Sequence, residues 1–225
     1  MSSSSEHDFI PYHIEAFSDE EMLDRSKSFY EQMNDRRTIR HFSDKAVDIK
    51  VIENIVRTAS TAPSGAHKQP WTFCVVSDPE LRKQIRKLAE EEEYRNYHGR
   101  MPDEWMEDLE PFDTDWNKPF IETAAYVIVV FKQAFGLNEE GNKKNNYYVN
   151  ESVGIATGFL LAAIHNAGLF ALTHTPSPMN FLAKVLDRPE NERPFLLIPV
   201  GHPVEECTIP DLERKGLDKV MITYK

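Results

Sequence analysis

Residues 125–131, Ala-Tyr-Val-Ile-Val-Val-Phe, form an unbroken apolar run rich in β-branched side chains. Such a run reads as a central strand buried on both faces, so the chain has to build helical layers around a sheet. Amphipathic helical periodicity at 19–33 and 47–60 supplies two of those helices, with a hinge at 34–41 between them. Residues 71–76 read as the first strand. Pro79, preceded by Asp78 as a cap, opens a helix from 80 to about 97. Residues 98–118 carry charge, tryptophan and the punctuation of Gly99, Pro102 and Pro111, and are expected to form a mobile excursion. A polar loop at 136–145 leads to a long helix at 148–167. There Gly154, Gly158 and Ala162 recur every four residues and make a stripe that lets another helix approach, within the chain or from a second copy. A strand at 169–173, a short helix at 178–186, a core strand at 195–200 and a polar tail at 208–225 complete the reading. The apolar stretch 220–224 of that tail can add a strand to its own sheet or a partner's.

The 225 residues carry a formal net charge of −11, which excludes an extended nucleic-acid-binding face or attraction to anionic membranes. An anionic ligand then has to be held by a local cluster of arginine or lysine. Cys74 and Cys207 are far apart without CxxC spacing, consistent with a reducing compartment and with neither a disulfide framework nor a zinc site. Cys74, within a strand, is expected to be a buried small hydrophobe. The serine-rich start has no secretory pattern and reads as a loose tail over 1–18. The most apolar stretch, 152–172, is interrupted by His165, Asn166 and Gly168 and is expected to be a buried helix rather than a membrane span.

Five clusters carry possible chemistry. Ala62-Pro63-Ser64-Gly65-Ala66-His67-Lys68-Gln69-Pro70-Trp71 is a turn of small residues that brings backbone N–H groups close to a flat ligand, or else an ordinary helix-to-strand connection. Arg36, Arg37 and Arg40 lie within five residues and suit a phosphate group, or form a solvated basic hinge. Thr173-His174-Thr175-Pro176 ends a strand and offers hydroxyl donors to a ring heteroatom, while His174 is as readily structural. Arg214 is a further phosphate candidate with a surface alternative. In the acidic run before Tyr97, Glu93 and Tyr97 stand four apart on one helical face and can hold an ammonium group. Lys118 can supply the cation for a carboxylate. Neither GxGxxG nor GxxxxGK[ST] occurs, so no dinucleotide or P-loop phosphate site is expected.

With these motifs in this order, followed by Ile209-Pro210-Asp211-Leu212-Glu213-Arg214-Lys215, the chain resembles the flavin-dependent nitroreductase superfamily over residues 20–224. Within it, the acidic helix, the stretch Trp116-Asn117-Lys118 and residues 146–152 resemble the halotyrosine-dehalogenating branch. The resemblance implies an α+β fold, a central mixed sheet flanked by helices, and an intertwined homodimer with one FMN at each of two subunit-interface sites. It also implies one domain over 19–225, with an active-site lid at 90–119 and a C-terminal extension at 208–225. By the same resemblance Arg36, Arg37, Thr38, Arg40 and Arg214 hold the FMN phosphate and ribityl chain, and Pro63 and Ser64 contact the flavin. Thr173, His174 and Thr175 lie beside the isoalloxazine, Thr175 with its hydroxyl at N5. Glu93, Tyr97 and Lys118 grip the halotyrosine zwitterion, and the Ala66 N–H meets the phenolate.

The implied reaction is reductive dehalogenation of 3-iodotyrosine to tyrosine and iodide by stepwise single-electron transfer. The alternatives are a general FMN nitroreductase acting on nitroaromatics or quinones, which has no need of the three clamp residues together, and a non-catalytic flavin- or halotyrosine-binding protein. Electrons come from NAD(P)H or an external reductase, between which the sequence does not choose. The chain departs from vertebrate members in lacking their N-terminal membrane anchor and in carrying His174 in place of a threonine, and a cytoplasmic location is expected.

Overall fold

The computed structural model describes residues 10–225; the first half of the expected N-terminal tail, 1–9, lies outside the described residues. The chain divides into two compact units, Met1–Asp35 and Arg36–Lys225. In the first, residues 10–18 have neither helix nor strand, and α1 (Asp19–Asn34) is capped by the Ser18 hydroxyl. Its amphipathic pattern predicts a buried face, yet α1 buries no residue, and Met22, Leu23, Phe29 and Tyr30 are exposed.

In the second unit, strands β1 (Trp71–Val76), β2 (Tyr126–Gln133), β5 (Phe170–Ala171) and β6 (Glu192–Gly201) form a sheet in the order β1-β2-β6-β5. All three strand pairs are antiparallel, and the sheet's mixed character comes from one parallel bridge, Thr38 to Ala171. The 125–131 run is the inner strand it was expected to be, with Val127 to Phe131 fully buried. Its side chains alternate between two cores, as the pleat requires. Tyr126, Ile128 and Val130 pack with α2 (Ile49–Ser60) and α6 (Val149–Asn166), while Val127, Val129 and Phe131 face α3 (Pro79–Arg95), α5 (Phe120–Thr123) and α7 (Asn180–Val185).

Local signals explain where the helices start. The Asp48 carboxylate caps α2, whose Ile52, Ile55 and Ala59 form the buried face; Asp78 accepts from the Leu81 N–H at 2.7 Å, with Pro79 in the first turn of α3. Several expectations are corrected. The helix expected to run to about Tyr97 ends at Arg95 and passes into a wider turn, Asn96–Arg100, broken by Gly99 at φ 139°. The 136–145 loop contains a small hairpin, β3 (Phe135–Leu137) with β4 (Lys143–Asn145). The excursion holds its own helix, α4 (Asp103–Leu109), and α5 has no counterpart in the periodicity because a single turn is too short to show one. The strand at 169–173 shrinks to two residues, after which single bridges replace a continuous ladder. Cys74 and Cys207 are free and only half-buried, and burial raises both thiols above their ordinary value. No helix among the described residues is long and apolar enough to cross a membrane.

Candidate functional site

The arginine hinge is held in extended form by the Thr38–Ala171 bridge, while Ile39 and Phe42 sink into the second core. Arg36, Arg37, Thr38 and Arg40 then line one cavity of about 300 Å³ together with Thr173, Pro210 and Arg214. The tail is tied to the hinge by Arg37 donating to the Pro210 carbonyl and by Arg214 Nη2 donating to the Arg36 carbonyl at 2.9 Å. Burial, and after it the Arg214 and Arg37 charges, pulls the Arg36 guanidinium below its ordinary value. Like charges gathered in this way within an acidic protein are an arrangement that suits an anion. Arg214 is exposed, yet it stands at the cavity beside the hinge, 178 residues from its partner in sequence.

A second cavity, of about 160 Å³, shares Arg40, Leu172 and Thr173 with the first and adds Glu93, Tyr97, Thr114, Lys118, His174 and Thr175. Glu93 lies on the face of α3 that carries Ile85 and Ala89, and so is drawn into the interior at 5% exposure. Lys118, 3% exposed, places Nζ 3.6 Å from the Glu93 carboxylate and donates to Thr114 Oγ1 at 3.2 Å and to the Asp115 carbonyl. Burial raises Glu93 against the pull of Lys118, and lowers Lys118 against the pull of Glu93 and Asp115. Each charge is therefore incompletely compensated. The Tyr97 hydroxyl donates to the Thr114 carbonyl at 3.2 Å, and burial followed by the Glu93 charge raises its phenol.

The Thr173–Thr175 segment hangs on β6: the His174 N–H donates to the Leu197 carbonyl at 2.9 Å and its carbonyl accepts from the Leu197 N–H at 3.0 Å. Thr173 and Thr175 are exposed, whereas His174 turns inward, edge-on to Phe120, with its Nε2 buried and unpartnered. Burial, reinforced by Lys118 and Arg40, holds its imidazole down at about 3. It is neutral at any physiological pH.

Pro63, Ser64 and Ala66 line neither cavity. Their turn lies on the start of α6, where Gly65 N–H donates to Ser152 Oγ at 3.2 Å. A Cβ at Gly65 would stand 2.7 Å from the Tyr147 carbonyl oxygen, so only glycine fits. Ala66, His67 and Gln69 all have left-handed φ, between 47° and 54°, a strained run of the kind found at binding sites. The N–H groups of Gly65, His67, Lys68 and Gln69 have acceptors.

A further concavity, about 1260 Å³, is lined along α3 by Leu81, Arg86, Glu90 and Tyr94 and contains none of the expected site residues. Sequence reasoning passed over Thr114 and Asp115, which hold Lys118, and Phe112, whose ring lies 5.4 Å from the Arg40 guanidinium. Their only signal was membership of the excursion.

Comparison with known proteins identifies the family. The Nitroreductase family profile matches residues 33–202. The chain is 63% identical over 216 residues to the iodotyrosine deiodinase of Haliscomenobacter hydrossis, covering 96% of this chain and 97% of that protein. It is 47% identical over 215 residues to human iodotyrosine deiodinase 1, covering 95% of this chain and 74% of the human one. The crystal structure of an oxidized iodotyrosine deiodinase bound to FMN and 3-iodo-L-tyrosine superposes with a TM-score of 0.74 at 28% identity, over 88% of this chain and 98% of that one. An extended arginine hinge, a buried acid–base pair and a threonine-flanked strand end, on a fold shared with these proteins, place the chain in the nitroreductase family, among the iodotyrosine deiodinases.

Proposed function

We propose that this chain binds FMN and catalyses reductive dehalogenation of halotyrosines, turning 3-iodotyrosine, two electrons and a proton into tyrosine and iodide. The observation that carries the reading is the buried Glu93–Lys118 pair opening on the same cavity as Thr173 and Thr175. A nitroreductase acting on neutral aromatics has no use for two opposite, desolvated charges there. An amino-acid substrate does, since its ammonium and carboxylate complete the compensation that each lacks.

The residues present fit the flavin: the mutually repelling Arg36, Arg37 and Arg214 call for a phosphate, and the strand end beside them is hydroxyl-bearing. Arg36, Arg37, Thr38, Arg40 and Arg214 hold the phosphate and ribityl chain, with Pro63, Ser64, Thr173, His174 and Thr175 along the ring system. FMN, when bound, would supply the reducing equivalents in single-electron steps, and Thr175 would be the catalytic hydroxyl offered to its N5. Glu93 and Tyr97 receive the substrate ammonium, Lys118 its carboxylate, and the Ala66 N–H its phenolate oxygen. The lid over 90–119 closes on the bound amino acid and keeps water out.

Because Pro63, Ser64 and Ala66 line neither cavity, the reading includes a homodimer in which a second copy brings its turn to the site. Two features support it. The positions a Cβ would take at Gly154 and Gly158 have no neighbour within 4 Å among the described residues, so the small-residue stripe of α6 faces outward beside exposed Ile155 and Phe159. The tail likewise exposes Val220, Met221, Ile222 and Tyr224. NAD(P)H or a separate reductase serves as electron source, and the two free cysteines and acidic composition suit the cytoplasm.

The test is anaerobic. The flavin-loaded protein is reduced, mixed with 3-iodotyrosine, and assayed for tyrosine and iodide beside a parallel nitroaromatic reaction. Tyrosine with stoichiometric iodide is expected; nitroaromatic reduction without tyrosine would replace this reading with a general nitroreductase, and tight binding without turnover would replace it with a binding protein.

A further inference from the structure

Glu93 and Lys118 stand on different segments, α3 and the joint that follows the excursion, so something has to set their separation. One turn of α3 grips Lys118 at both ends: Glu93 faces its ammonium, and Glu90 Oε1 accepts from its backbone N–H at 2.7 Å. Glu90 is in turn braced by Arg86, four residues earlier. The Arg86 guanidinium donates through Nε to Glu90 at 2.6 Å, through Nη1 to Glu122 at 3.2 Å and through Nη2 to Asn117 Oδ1 at 2.9 Å. The Arg86 and Glu90 side chains are only 27% and 18% exposed, unlike the solvent-screened pairs of a helix surface. Burial alone would lower Arg86, but Glu90 and Glu122 outweigh it and raise the guanidinium. Arg82 adds a second tie, donating to the carbonyls of Glu122 and Ala124. The joint 117–124 is thus stapled to α3 from outside the cavity, by groups that do not line it.

We propose that Glu90, braced by Arg86, is a positioning residue for the amino-acid clamp: by holding the Lys118 backbone it keeps the ammonium opposite Glu93. The inference rests on the halotyrosine reading above. Without the Glu90 acceptor the Lys118 N–H is left to find another partner, and the joint swings outward with its side chain. Recognition of the amino-acid end then falls, while the aromatic ring and the flavin keep their contacts.

The experiment measures calorimetric dissociation constants on the oxidised FMN-loaded protein for 3-iodotyrosine and for 2-iodo-4-methylphenol, which has the ring without the amino acid. Glu90→Ala is expected to weaken 3-iodotyrosine by about tenfold or more, the order of one charge-assisted hydrogen bond, and to leave the phenol and FMN within about twofold. Glu90→Gln, which keeps an oxygen acceptor, is expected to stay near the native value, and Arg86→Lys, which loses the fork, to fall between. In a Lys118→Ala background Glu90→Ala is expected to add no further loss, since both act through one side chain. Equal weakening of both ligands, loss of FMN, or no change in any of them overturns the proposal, as does a native protein that binds the two ligands alike. Failure of the native enzyme to release iodide while this binding preference persists would strike the dehalogenase reading and leave the positioning role standing.

Discussion

Replacing His174 with glutamine is expected to flatten the acid side of this protein's stability curve. The imidazole is wedged against Phe120 with its Nε2 buried and unpartnered, and Lys118 and Arg40 add to the burial that holds it at about 3. In the unfolded chain the same ring titrates near 6.5. Below that pH the unfolded state takes a proton that the native state refuses until about pH 3, so this contribution is complete above pH 6.5 and is lost as pH falls through that window. Integrating the linkage from pH 7 to pH 5 yields about 2 kcal/mol for this one group. For a chain of this size that corresponds to roughly 4–8 °C in melting temperature. Glutamine is polar and close in size but does not titrate, so the variant carries a constant offset and lacks the slope. Urea unfolding of both proteins at pH 7 and pH 5, at one fixed protomer concentration, measures the difference of differences. A native protein that loses no more than the variant between the two pH values would refute the reasoning, because the imidazole would then be solvated or already paired.

Three further outcomes follow from the geometry. Arg214→Met is expected to weaken FMN by about tenfold or more, through loss of a charge-assisted contact, and to leave riboflavin, which has no phosphate, unchanged in flavin-fluorescence titrations; an equal loss for both would place Arg214 elsewhere. Glu93→Gln should weaken 3-iodotyrosine far more than FMN, since it removes the charge opposite an ammonium but not the flavin cradle; calorimetry showing parallel losses would make Glu93 structural. Gly65→Ala drives a Cβ to 2.7 Å from the Tyr147 carbonyl oxygen, a backbone atom that cannot turn away, and should cost about 1–3 kcal/mol in urea unfolding. An unchanged midpoint would mean that the turn is free to leave α6.

Much of the secondary structure was legible because it depends on near neighbours. The 125–131 run, the Asp78-Pro79 start of α3 and the glycine-bearing turn at 62–71 declare themselves within a few residues. Short elements were less readable: α5 has four residues and β5 two, fewer than one period of the signal that would reveal them. Helix α1 shows the reverse error. Its pattern is amphipathic, but periodicity states only that a face is apolar, and no residue of α1 is fully buried.

The candidate site was legible as a set of residue types rather than as an arrangement. The sequence by itself determined that three arginines share a hinge, that Glu93 and Tyr97 share a helical face, and that a strand ends in Thr-His-Thr, since each of these is a matter of spacing along the chain. Tertiary structure alone decided that Glu93, of four consecutive glutamates, is the desolvated one, because its face of α3 also carries Ile85 and Ala89 against the core. Only the fold set Lys118 against it, gathered Arg214 with Arg36, and turned the His174 ring against Phe120 with its Nε2 out of reach of solvent. Burial and charge proximity are properties of distance in space, and groups far apart in sequence acquire them only when the sheet and its two cores have brought them together.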